Sequence, residues 1–143
     1  MSKQVLKVAV VCCVLILAVV VPTLAQLPGT RLHATIPFDF TVRGRLLPAG
    51  TYELRRVNDE PETLMIQNVK TRRTAMFETD PVEAHKTPGH AKLVFHRYGD
   101  DYFLSQVWTS GDDTGREITP SHKERQELAG NNTQPETVAV AVY

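Results

Sequence analysis

From Leu32 onward the chain is a series of short segments in which apolar residues recur at every second position, separated by proline, glycine, asparagine or aspartate. Ile36, Phe38, Phe40 and Val42 set the pattern. Successive side chains of a strand point to opposite faces, so these four fall on one face. Pro37 lies on the opposite phase and removes a ladder donor, which predicts an edge strand or a bulge there. Leu47-Pro48-Ala49-Gly50 is a turn, with proline presetting one corner and glycine free to adopt positive φ. In residues 51–57, Tyr52, Leu54 and Arg56 share a face. Residues 63–69 and 73–79 are further strand candidates, the second with Ala75 and Phe77 on one face.

Residues 92–98 and 102–109 form the clearest strand pair, and Gly99-Asp100-Asp101 between them predicts a hairpin. Residues 80–89, with Pro81 and Pro88, read as a loop, and residues 110–115 as a second acidic turn. One helix is expected over residues 121–130. Ser121 caps it, Glu124 completes a capping box, and Gly130 closes it. Its faces are polar, and Leu128 and Ala129 are its main apolar residues, which predicts a surface helix. Val138, Val140 and Val142 alternate in a last strand. Seven or eight short strands with regular turns define an all-β chain, an antiparallel sandwich or a small barrel. The order of strands stays open at this level.

The first 25 residues have a different character. Lys3 and Lys7 precede 14 residues, Val8 to Val21, without a charge. Pro22 ends the run, and Thr23-Leu24-Ala25 places small residues where a signal peptidase reads. This is the layout of a secretory signal peptide. Cleavage after Ala25 leaves a single β-rich domain, residues 26–143, in the periplasm or outside the cell. The alternative is an uncleaved inner-membrane anchor, although a spanning helix needs about 20 apolar residues. Both cysteines, Cys12 and Cys13, lie in the N-terminal segment, so the remaining domain has no thiol chemistry. It carries 14 basic and 16 acidic residues, which gives no electrostatic case for nucleic acid.

Four blocks carry a resemblance: Ile36-Pro37-Phe38-Asp39-Phe40, Leu47-Pro48-Ala49-Gly50-Thr51-Tyr52, Lys92-Leu93-Val94-Phe95-His96-Arg97-Tyr98-Gly99 and Phe103-Leu104-Ser105-Gln106-Val107-Trp108. Together they resemble a family of small, exported, uncharacterised bacterial β-rich proteins. The resemblance implies a secreted β-domain and brings no activity, cofactor or catalytic residue with it.

Two constellations could carry chemistry. Asp100-Asp101 and Asp112-Asp113 occupy successive turns, but an eight-residue strand between them spans about 26 Å, so they cannot share one ion. Antiparallel pairing instead brings His90, with His85 nearby, toward Asp112 and Asp113. Two imidazoles and two carboxylates suit zinc, nickel or copper, whereas aspartates in turns equally serve the local backbone. Tyr98 and Tyr102 are expected half exposed, as stacking platforms for a ligand, while Phe95, Phe103 or Leu104, and Trp108 are expected in the core. His96 is expected half-buried with a hydrogen-bond partner rather than acting as a base, since the sequence names no nucleophile and no orienting group for it. No nucleophile elbow, phosphate loop or glycosidase carboxylate pair is present. The expectation is therefore a non-enzymatic exported domain, without a cofactor, whose partner is a protein or an envelope polymer. A metal protein or metal-dependent enzyme built on His85, His90, Asp112 and Asp113 is the alternative.

Overall fold

A computed structural model of the protein describes residues 31–58, 60–131 and 134–143. The signal segment expected at residues 1–25 lies outside the described residues. Among those described, no helix is long and apolar enough to cross a membrane. In chain order the first strands are β1 (Leu32–Ile36), β2 (Phe40–Val42), β3 (Arg45–Leu47), β4 (Gly50–Val57), β5 (Glu60–Asn68) and β6 (Thr74–Glu78). They are followed by β7 (Asp80–Glu83), β8 (Lys92–Tyr98), β9 (Asp101–Trp108) and β10 (Thr114–Glu117). Helix α1 (His122–Asn131) and strand β11 (Glu136–Ala141) complete the order.

One sheet has the order β1-β4-β5-β6, the other β11-β8-β9-β10-β7. The β2–β3 hairpin joins the second sheet through a parallel bridge between Thr41 and Phe103. The remaining pairings are antiparallel. The sheets do not close on themselves, so of the two expected architectures the sandwich is the one formed. Along one side His33 and Tyr143 exchange two backbone hydrogen bonds of 3.0 Å, tying β1 to the C-terminal residue.

The core lies between the sheets. Ala34, Ile36, Tyr52, Leu54, Leu64, Ile66, Ala75 and Phe77 face inward from the first sheet. Phe40, Val42, Leu47, Leu93, Phe95, Leu104 and Val107 meet them from the second. The two-residue spacing read in the sequence matches the inward residues Tyr52 and Leu54 of β4, Ala75 and Phe77 of β6, and Leu93 and Phe95 of β8, whereas in β9 the ladder slips at Ser105 and Leu104 and Val107, three residues apart, both reach the core. Both Phe103 and Leu104 are buried, because β9 is covered on both faces.

Residues 32–42 do not form the single strand expected. Pro37, Phe38 and Asp39 interrupt it, and the chain crosses from the first sheet to the second at that point. A proline cannot donate to a ladder, so the break falls where no hydrogen bond is lost. Asp39 secures the crossing: its carboxylate accepts the Ala49 N–H at 2.8 Å. The Tyr52 hydroxyl donates to the Pro48 carbonyl from the same turn. The Leu-Pro-Ala-Gly-Thr-Tyr segment is therefore a structural clasp between the sheets.

Residues 80–83 are strand β7, not loop, and β10 begins inside the region read as a turn. Each has four residues, too few for alternation to register. Pro81 is tolerated because β7 is an edge strand. In β10, Gly115 is buried directly beneath Trp108. A Cβ at this position would lie 2.5 Å from Trp108 Cε3. Gly115→Ala is therefore expected to lower stability by about 1–3 kcal/mol, as overpacking does. Guanidinium unfolding followed by Trp108 fluorescence measures this, and an unchanged midpoint would contradict the packing described.

Candidate functional site

Two places were candidates from the sequence, and the structure adds a third. The first is the histidine–aspartate end. The loop after β7 does run along the turn before β10. The Ala84 N–H reaches the Asp113 carbonyl at 2.8 Å, and the Gly111 N–H reaches the Pro88 carbonyl at 3.0 Å. These bonds bring the loop that carries His85 and His90 alongside the Asp112–Asp113 turn, but they run through Ala84 and Pro88 and not through either histidine. Among the described residues, however, no group of three or more His, Cys, Asp or Glu side chains is gathered to hold an ion. Asp112 instead serves its own turn, accepting the Thr114 N–H at 2.9 Å and the Thr109 hydroxyl at 3.5 Å.

The second place is the tyrosine pair. Tyr98 is buried, 6% exposed, rather than half exposed. Its ring meets Phe103 edge to face at 5.7 Å, and α1 covers this side of the hairpin. Tyr102 is half-buried as expected, but its ring is already stacked on Phe38, with centroids 3.8 Å apart. The Arg97 guanidinium lies 5.5 Å from the centre of the Tyr102 ring. These rings stack on the protein's own side chains.

The third place centres on His96, half-buried and hydrogen-bonded as expected, with partners that the sequence did not name. The β8–β9 ladder slips between Val94 and Phe95, leaving Ser105 as an extra residue on β9. Such bulges re-aim side chains. Ser105 Oγ lies 3.2 Å from His96 Nε2, and His96 Nδ1 lies 3.1 Å from Glu124 Oε1 on α1. With Nδ1 donating to the carboxylate, Nε2 of the neutral ring accepts the serine proton. The line has the composition of a serine nucleophile with its base and orienting acid. Its setting differs. Ser105 is 3% exposed, and its carbonyl is held by the Ile118 N–H at 2.8 Å. A nucleophile covered in this way cannot meet a carbonyl substrate. The line docks the helix on the sheet.

Glu124 is the residue that changes meaning. Ser121 Oγ does accept the Glu124 N–H at 3.2 Å, as a cap should. The Glu124 carboxylate goes to His96 instead of completing a capping box, and the residue is 4% exposed. Leu128, one of the two main apolar residues of this helix, is 38% exposed, in keeping with the surface helix expected.

A separate cleft opens between the sheets at the end away from Tyr52. It has a volume of about 580 Å³, within the range of about 300–1,000 Å³ that small-ligand pockets occupy. Leu32, Leu54 and Leu64 of the first sheet and Val107 of the second form its apolar walls. Arg56, Arg116 and the 109–112 turn stand at its rim. The register explains the two arginines. Arg56 follows Tyr52 and Leu54 on the inward phase of β4 and lies opposite Leu64. Arg116 lies opposite inward-facing Val107. The sequence reading had placed Arg56 on that face without giving it a role, and nothing local marked Arg116.

No family model matches the chain, and no curated protein or solved structure is significantly similar to it. The site is therefore argued from its geometry.

Two outcomes test the helix docking. His96→Ala leaves the buried Glu124 carboxylate without its partner, and should cost about 1–3 kcal/mol in denaturant unfolding. Ser105→Ala should cost less, because Ser105 is neutral and its carbonyl bond remains. A second test uses Tyr98, whose hydroxyl is buried and makes no hydrogen bond among the described residues. Burial raises its pKa above the ordinary value of 10.0, and the Glu124 charge raises it further. The unfolded chain thus ionises first. Below pH 10 this tyrosine adds no pH dependence, and above it folded stability falls until the folded phenol titrates. Tyr98→Phe should keep or raise stability at neutral pH and flatten the alkaline fall. A steeper alkaline fall in the variant would contradict this assignment.

Proposed function

We propose that the chain is a non-enzymatic exported binding domain of the bacterial envelope, and that it binds through the cleft between its two sheets. The single observation that carries the reading is the open cleft of about 580 Å³ to which both sheets contribute, with Leu32 and the edges of the buried Leu54, Leu64 and Val107 as its apolar floor. An apolar cavity rimmed by a few polar groups is the usual form of a small-molecule site. The N-terminal segment supports export, and the resemblance to small exported bacterial proteins supports an envelope location. The burial of Ser105 argues against hydrolysis, and the commitment of Asp112 to its own turn argues against a metal enzyme.

Native mass spectrometry of the protein isolated from its own cell envelope tests this. The expected mass is that of Gln26–Tyr143 plus a noncovalent small molecule. Thr114→Trp, at an exposed position on the cleft rim, should fill the opening and remove that adduct. A processed chain that carries no adduct, or one whose adduct survives Thr114→Trp, overturns the reading. An unprocessed mass would establish the tethered form instead of the released one.

A further inference from the structure

The chemistry of the cleft specifies its occupant more closely. We infer that it takes an alkyl chain bearing a single oxyanion head, a carboxylate or a phosphate. The chain would lie over Leu32 and the edges of Leu54, Leu64 and Val107, with the head held by Arg56 and Arg116. This rests on the cleft being the binding site.

The argument begins with the two cations. Arg56 comes from β4 and Arg116 from β10, so each sheet contributes one guanidinium to the same opening. Arginine remains charged at any pH the cell envelope reaches. Neither guanidinium has an ion pair among the described residues, whereas Arg31 pairs with Glu53 at 3.4 Å and Arg97 with Glu136 at 3.3 Å. Asp112 is the one carboxylate lining the cleft, and its two oxygens serve the Thr114 N–H and the Thr109 hydroxyl. The third arginine of the lining, Arg55, sits on the opposite phase of its strand and contacts Met65 Sδ at 3.9 Å. The opening thus sets three arginines against one carboxylate, an excess of positive charge. A guanidinium is weakly hydrated and presents paired donors matched to carboxylate and phosphate oxygens.

The walls decide the rest of the ligand. Leu32, Leu54, Leu64, Ala91 and Val107 are aliphatic, and no aromatic ring lines the cleft. Stacking on a sugar or a nucleobase has no partner here, whereas an unbranched hydrocarbon does. The polar groups of the lining come from Arg55, Arg56 and residues 109–116, so polar groups placed against the aliphatic part of the lining would stay unpaired. One charged head on an apolar chain satisfies both regions.

The test is methyl-labelled NMR of the processed domain with 12-carbon probes below their micelle concentrations. Dodecanoate and dodecyl phosphate should shift the methyl signals of Leu54, Leu64 and Val107. Inorganic phosphate alone should shift none of them. Arg56→Gln and Arg116→Gln should each weaken dodecyl phosphate about tenfold, the loss of one charge-assisted hydrogen-bond pair. Lys70→Gln, in the turn at the far end of β5, should change nothing. Phosphatidylglycerol vesicles distinguish the sources: recruitment to them indicates a bilayer lipid, and its absence a free amphiphile. If dodecyl maltoside or dodecyltrimethylammonium binds as tightly as the anions, the oxyanion inference falls while the cleft remains the site. If no probe moves the three methyl groups, the cleft reading falls as well.

Discussion

Phe40, Tyr52 and Phe95 hold the sandwich together. Tyr52 comes from the first sheet and the two phenylalanines from the second, and Phe40 meets each of the others edge to face at 5.2 and 5.4 Å. Such pairs contribute about 0.5–1.5 kcal/mol each beyond the area they bury. Phe40 reaches this position because the chain changes sheets at Pro37–Asp39, and that crossing is fastened by Asp39 and by the Tyr52 hydroxyl. Phe38, from the crossing itself, adds an edge-to-face contact with Phe95 at 5.1 Å.

The hairpin of β8 and β9 is the second organising element. Its bulge at Ser105 divides the outer edge of β9 between two neighbours. β2 bridges it at Phe103, and β10 pairs with it at Gln106 and Val107. The same bulge turns Ser105 toward His96, and His96 receives Glu124 from the helix. A helix with almost no apolar face is thereby fixed in one place by a buried polar line. Taking those groups out of water offsets much of what their attraction contributes, so the arrangement specifies position more than it adds stability.

Much of this was legible in residue order. The inward residues of β4, β6 and β8 followed two-residue spacing, those of β9 did not because of its bulge, and the turns at Pro48–Gly50 and Gly99 followed from residues that tolerate their geometry. The Ser121 cap was also readable, since a cap is a contact between neighbours. Strands β7 and β10 were not. They have four residues each, few of them apolar, and exist because β9 offers an edge for them to extend. The burial of Tyr98 escaped because its cover is a helix that lies more than 20 residues further along the chain. Glu124 escaped for a related reason: its local partner and its distant one ask for the same residue type.

The sequence by itself determined the class of the protein, the inward faces of β4, β6 and β8 and the absence of thiol chemistry from the domain. Each depends on neighbours along the chain, where period and residue type suffice. The tertiary structure alone decided sandwich over barrel, the sheet switch at Pro37, the Ser105–His96–Glu124 line and the joining of Arg56 with Arg116. In each of these the partners are tens of residues apart or belong to different sheets. Their meeting depends on which edges pair and on how the chain crosses, and no local pattern encodes that.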